Sequence, residues 1–241
     1  WRVFGARVAL SSLLVFLAGQ ASAQPVSFRN TVQPILAKFG CSSGACHGAA
    51  AGKNGFKLSL RGYDDFGDYL AITRGAQGRR IDLANPSSSL FLKKPLNLVP
   101  HKGGQRFAID SLECKLLLQW VAEGAPGPSE NDARILGIEI LPHHVVMKPG
   151  EETQLIVKAR FGDGRVEDVT RWAKYTSADT SVAVIGDDGK VKAAGFGEGA
   201  ITAWYLSTIS AAVVTSPFEN KLAADVFSQA PRRNFIDELV L

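Results

Sequence analysis

The sequence predicts two units in series, a small all-α unit followed by an all-β sandwich. Apolar residues recur at helical spacing through Phe28, Val32, Ile35, Leu36 and Phe39, and again through Leu112, Leu116, Leu117, Trp120 and Val121. Later the period changes to strict alternation, with Leu155, Val157, Ala159 and Phe161 facing one way and Ile201, Ala203 and Tyr205 alternating with Thr202 and Trp204. The polar stretch Gly127-Pro-Ser-Glu-Asn-Asp132 divides the two regimes. The expected boundaries are a leader over 1–23, a helical unit over 25–127, a linker over 128–133, a sandwich over 134–216, and a tail over 217–241.

The leader is read from Arg2 and Arg7, the apolar run Val8 to Leu17 and the small residues Ala21-Ser-Ala23, the pattern a signal peptidase accepts. Its apolar core is too short for a membrane span, so the mature chain is expected to be exported, periplasmic or at the cell surface, with no membrane span. The first helix has Ser27 as a candidate N-cap and Gly40 as a stop. Pro34 falls either in its first turn or at a kink. The last helix of this unit opens on Asp110-Ser-Leu-Glu113, spaced as a capping box, and closes at Gly124 and Pro126.

In the second unit, Asp163-Gly164 and Asp188-Gly189 supply hairpin turns between short strands, the pattern of a sandwich of about 80 residues. Asp163, Asp168, Asp187 and Asp188 lie at turns, where Asp is favoured for its backbone bonding, and they lack calcium-loop spacing. From Ser216 the chain reads as a linker, then as the opening turns of a helix in Asn234-Phe-Ile-Asp-Glu-Leu-Val-Leu241.

The chemistry is concentrated in Cys41-Ser-Ser-Gly-Ala-Cys46-His47. Two thiols followed directly by an imidazole can bond to the two vinyl groups of a haem while the histidine takes the iron, so the run reads as a c-type haem attachment site with a widened spacer. Two other readings stay open: a small Cys41–Cys46 disulfide in an oxidising compartment, and a zinc site, for which Cys114 and three distant histidines are the remaining ligands. Cys114 itself reads as a core thiol on the last helix. Among second axial ligands, His101 in Leu98-Val-Pro-His101-Lys-Gly-Gly104 stands before the terminal helix, whereas Met147, His143 and His144 lie beyond it. The reading is bis-His through His47 and His101; Met147, or an open iron, is the alternative. His143, His144 and Met147 resemble a copper cluster, but neighbouring strand residues face opposite ways.

The segments Phe28…Val32-Gln-Pro-Ile-Leu36, Cys41…Cys46-His47-Gly48, Ala84-Asn-Pro-Ser-Ser-Ser-Leu90, Pro100-His101-Lys-Gly-Gly104 and Ser111-Leu-Glu113…Trp120-Val-Ala-Glu-Gly-Ala-Pro126 resemble the planctomycete-type cytochrome c domain. That resemblance implies an all-α cytochrome c-like fold, one covalent haem c on Cys41 and Cys46, and His47 and His101 as axial ligands. The stretches Ile138-Glu-Ile140, Phe161-Gly-Asp-Gly164, Asp168-Val-Thr170, Ser181-Val-Ala-Val184 and Ile201-Thr-Ala203 resemble the bacterial Ig-like group 2 module. The tail resembles the opening of a further domain, which implies an N-terminal fragment of a longer planctomycete protein.

The expected function is an exported c-type cytochrome module for single-electron transfer with an Ig-like spacer or binding domain. The alternatives are a haem-free cell-surface or glycan-binding Ig-like protein, and a haem sensor or peroxidase-like site with an open iron. Residues 24–127 carry 13 Lys and Arg against 7 Asp and Glu, a basic face fit for an acidic redox partner, while the Ig-like half is the candidate for cell-wall or glycan contact. No basic run interleaved with aromatics marks a nucleic-acid binder. No hydrolase nucleophile or phosphate-cradling loop is present, so no catalytic residue is assigned.

Overall fold

The computed structural model describes residues 1, 25–220, 223 and 225–240. The leader reading therefore lies outside the described residues, apart from Trp1.

The first unit is built more of turns than of helices. Ser27 caps a π-type turn, Phe28–Val32, by accepting a bond from the Asn30 amide, and α1 (Gln33–Lys38) follows with Pro34 in its first turn, where the missing N–H costs nothing. Next come α2 (Asp65–Thr73), capped by Asp64, then the four-residue α3 (Leu90–Lys93) and α4 (Leu112–Ala122). The cap of α4 is Ser111, accepting from the Cys114 amide, one residue after the expected Asp110. Phe28, Val32, Ile35, Leu58, Ile72, Leu92, Leu117, Trp120 and Val121 share one core, in which Phe28 meets Trp120 at 5.6 Å and Tyr69 edge-on at 5.5 Å.

The second unit holds ten strands. The strands β1 (Ile135–Leu141), β4 (Ile156–Phe161) and β5 (Val166–Asp168) form one antiparallel sheet. A second sheet runs β2 (His144–Val146), β10 (Thr208–Ser216), β9 (Gly197–Tyr205), β6 (Lys174–Ser177), with β2 parallel to β10. The third is β3 (Glu152–Gln154), β8 (Lys190–Ala193), β7 (Ala183–Ile185). Val157, Ala159 and Phe161 alternate inward from β4 and meet Ile201, Ala203 and Tyr205 from β9 in a continuous core. A last helix, α5 (Phe235–Val240), follows the tail.

This corrects the expected fold class. Among the described residues 23% are helical, the ten strands make the sandwich the larger ordered unit, and no all-α cytochrome c-like unit forms. The physical cause is punctuation. Asn54, Arg61, Ala76, Gln77 and Asn97 adopt left-handed φ values of 49–60°, and Pro86, Pro95 and Pro100 interrupt the remainder, so no helix of the first unit exceeds α4.

The units meet face to face. Lys38, at the end of α1, is 8% exposed and donates from Nζ to the carbonyls of Ala173 (2.7 Å) and Asp187 (2.5 Å), 5.5 Å from the Tyr175 ring centre. The Arg61 guanidinium lies 3.5 Å over the Trp204 ring, Arg171 donates to the Glu113 carboxylate at 2.7 Å, and Trp172 packs against both cores. Arg29 binds the linker, donating to the carbonyls of Ser129 and Asp132, both at 2.7 Å.

Candidate functional site

The residues singled out for chemistry sit in a loop hung from the end of α1. The Cys41 amide donates to Leu36 at 2.9 Å, the Cys46 amide to Ser43 at 3.0 Å and the His47 amide to Cys41 at 2.9 Å, so the four-residue spacer is a closed, self-bonded turn. Gly48 is dictated by this closure: a Cβ there would lie 2.2 Å from the Ser42 carbonyl oxygen. Cys41 and Cys46 are half-buried free thiols. Burial pushes the Cys41 thiol up to about 11, and the Arg106 charge opposes that rise in part. Arg106 also donates to the Cys46 sulfur at 3.3 Å.

Both imidazoles are anchored in the same way. Nδ1 of His47 bonds the Phe56 carbonyl at 3.0 Å and Nδ1 of His101 bonds the Gly104 carbonyl at 2.9 Å. A carbonyl only accepts, so each Nδ1 carries a proton, and in the neutral ring Nε2 is then the atom with the free lone pair, the tautomer of a metal-ligating histidine. The two rings lie 9° from parallel with centres 6.4 Å apart, too far for ring-on-ring contact. Burial holds the His47 imidazole below its usual value, against its bond to Phe56 and helped by His101, Arg80 and Arg106, which keeps it neutral.

His47 and His101, whose ring centres lie 6.4 Å apart, would be the residues to hold the haem iron that the sequence implied, and two free thiols lie on the loop that carries one of the rings. A metal held by protein groups alone does not fit. Among the described residues no group of three or more His, Cys, Asp or Glu gathers as a metal cluster, which corrects the metal-binding expectation and removes the zinc and copper readings.

The competing ligands are elsewhere. Met147 is 4% exposed inside the sandwich core. His143 bonds Glu139 at 3.0 Å and His144 bonds the Thr215 hydroxyl at 2.8 Å, both on the outside. Cys114 is buried in the first unit's core.

Sequence reasoning missed Arg106, Arg80 and Phe56. Phe56 packs on the His47 ring at 4.5 Å and holds its Nδ1, while Arg80 lies 4.4 Å over the other aromatic ring of that pair and ties the loop through bonds to Ala71 (3.0 Å) and Gly55 (3.3 Å). Of these, only Arg106 carried a signal, as a cation five residues after His101. Missed too was the buried carboxylate behind the loop: Asp68 accepts from the Ser59 hydroxyl (2.7 Å), the Ser59 amide (2.5 Å) and the Gln33 amide (3.1 Å). Burial raises its pKa above the usual carboxylate value, against those three bonds.

No family model and no curated protein matches the chain. Among solved structures, the matches include fragments of the S-layer protein SbsC. Domains 4 and 5 match at 15% identity and TM-score 0.31, covering 36% of this chain and 54% of that one. Domains 4–9 match at 16% and 0.33, covering 38% and 15%. An intimin mutant of EHEC O157:H7 matches at 22% identity and TM-score 0.22, covering 36% and 47%. The chain thus spans about half the length of the first of these and less of the others, and scores this low carry no argument about function. No helix among the described residues is long and apolar enough to cross a membrane. The resemblance to a planctomycete-type cytochrome c domain, with the longer planctomycete protein it implied, is corrected: no family model matches, and the all-α unit it required does not form among the described residues.

Proposed function

We propose that this chain is an exported, cell-surface Ig-like protein whose β unit spaces or attaches the molecule at the cell wall, with polysaccharide as its contact. The observation that carries this is the β unit itself: ten short strands around one continuous core with no disulfide, presenting polar loops at its ends. The reading of residues 1–23 as a leader supports an exported location. The test uses the whole chain, sedimented with purified insoluble cell-wall polymer. Co-sedimentation that soluble wall fragments compete away is the expected result, and protein that stays wholly in the supernatant overturns the reading. Nothing in the fold adds support for an acidic redox partner.

A second reading is favoured by one specific observation, the parallel imidazole pair. Cys41, Cys46, His47 and His101 would hold one covalent haem c, the two thiols tethering it and the two Nε2 atoms taking the iron. Such a group, when bound, supplies redox chemistry at iron. The chain's own part is to hold each imidazole in the ligating tautomer through Phe56 and Gly104, and to keep both thiols apart from a disulfide in the closed 41–47 loop. Production in cells able to attach haem, followed by acid-acetone extraction, decides it. Colour retained on the protein with a matching mass increase is expected; a colourless chain of polypeptide mass removes the cofactor and leaves the surface reading intact.

A further inference from the structure

The lock between the units and the thiol-imidazole loop share one helix. Lys38 is the last residue of α1, and its ammonium is inserted into the sandwich between the Ala173 and Asp187 carbonyls, with the Asp187 carboxylate 3.9 Å away. The loop hangs from the same turn. The Cys41 and Ser42 amides both donate to Leu36, and the His47 amide donates to Cys41. A second route runs in parallel: Phe39, next to Lys38, packs edge-on against Phe107 at 5.4 Å, and Phe107 follows Arg106, which bonds the Cys46 sulfur. Lys38, Phe39, Gln105, Arg106, Lys174 and Asp187 line one open cleft of about 180 Å³ at this junction. Lys38, Phe39 and Arg106 therefore bridge the sandwich and the site from its near side.

We propose that Lys38 is a positioning residue: by fixing the end of α1 to the sandwich, it sets the conformation of the Cys41–His47 loop, so that the second unit is a structural part of the site. The claim is independent of what fills the site. A lysine whose two Nζ bonds go to backbone carbonyls of another unit is placed to transmit position. Its charge is buried against a salt-bridge partner that is itself mostly in water, which makes stabilisation alone a poor account of it. The consequence is a mechanical link. Displacing the sandwich from α1 loosens the thiol loop, and anything that seats on the loop tightens the junction.

The chain made in a reducing cytosol has three free thiols, and these report the link directly. Cys41 is held protonated by burial and is expected to react slowly with a maleimide. Cys114, on α4 and buried in the first unit's core, reports general unfolding. Lys38→Met keeps the volume and removes the donors. The expected result is Cys41 labelling at least ten-fold faster than in the parent, with Cys114 labelling unchanged, and a return toward the parent rate in Lys38→Arg, which restores donors. Unchanged Cys41 labelling in Lys38→Met overturns the proposal. Equal acceleration of Cys41 and Cys114 also overturns it, because Lys38 would then stabilise the whole molecule instead of positioning one loop.

Discussion

At the residue scale the site is governed by which atoms are already spoken for. Phe56 and Gly104 take the Nδ1 protons of His47 and His101, and Arg106 takes the Cys46 sulfur. Gly48 is the least replaceable position. A methyl there meets the Ser42 carbonyl oxygen at 2.2 Å, so Gly48→Ala must open the loop. Its expected cost is about 1–3 kcal/mol, the range for forced overpacking, read as a lowered urea midpoint together with faster Cys41 labelling. Cys41, Cys46, His47 and His101 were named as candidates from residue type and order, and the structure sets the two imidazoles 6.4 Å apart. The anchors were not legible, because a bond to a carbonyl leaves no side-chain signature in sequence. The copper-like trio failed for a plain reason: Met147 is consumed by the sandwich core, and His143 and His144 bond Glu139 and Thr215 on the outside.

At the scale of elements, alternation was the more faithful guide. Leu155 to Phe161 and Ile201 to Tyr205 put their alternate residues inward, because a half-buried strand has only one way to divide its faces. Helical spacing was less faithful. The run from Phe28 to Phe39 splits into a π-type turn and a six-residue helix, and an all-α unit was inferred from two such runs although 25–127 is mostly turns. Periodicity reports which face is apolar and says little about how far the helix continues once glycine and proline intervene. Leu117, 1% exposed on α4, is the position at which that helix can be tested. Leu117→Ala is expected to cost about 2–5 kcal/mol by leaving a cavity beside Trp120. Ser111→Ala, removing only the cap, is expected to cost about 1 kcal/mol. Chemical denaturation of the two variants separates packing from capping.

Across the whole molecule, charge at the junction sets a dependence on pH. Burial lowers Lys38 below its usual 10.5; Lys174 and Arg171 act in the same sense, and Asp187 and Asp188 oppose it. A lowered value means that the unfolded chain binds more protons than the folded one within the window below 10.5, so Lys38 makes stability rise with pH there. Cys41, raised from 9.0 to about 11, and Tyr175 and Tyr205, raised from 10.0, work the other way at the alkaline end, because the folded state keeps their protons longer. Below pH 9.0 Cys41 and the two tyrosines keep their protons in both states, so a comparison of the parent with Lys38→Met reads Lys38 there. As pH rises toward 9.0 the parent is expected to gain denaturant resistance relative to the variant, and parallel curves would remove the assigned burial cost.

The Arg29 bonds to Ser129 and Asp132, with the Lys38, Arg61 and Arg171 contacts beyond them, mean that the peptide bridge between the halves is not what keeps them together. A protease nick near residue 130 should yield two fragments that still elute as one species from a sizing column in native buffer and part only in denaturant. Severed in this way, the molecule would behave as a non-covalent heterodimer of its own two parts.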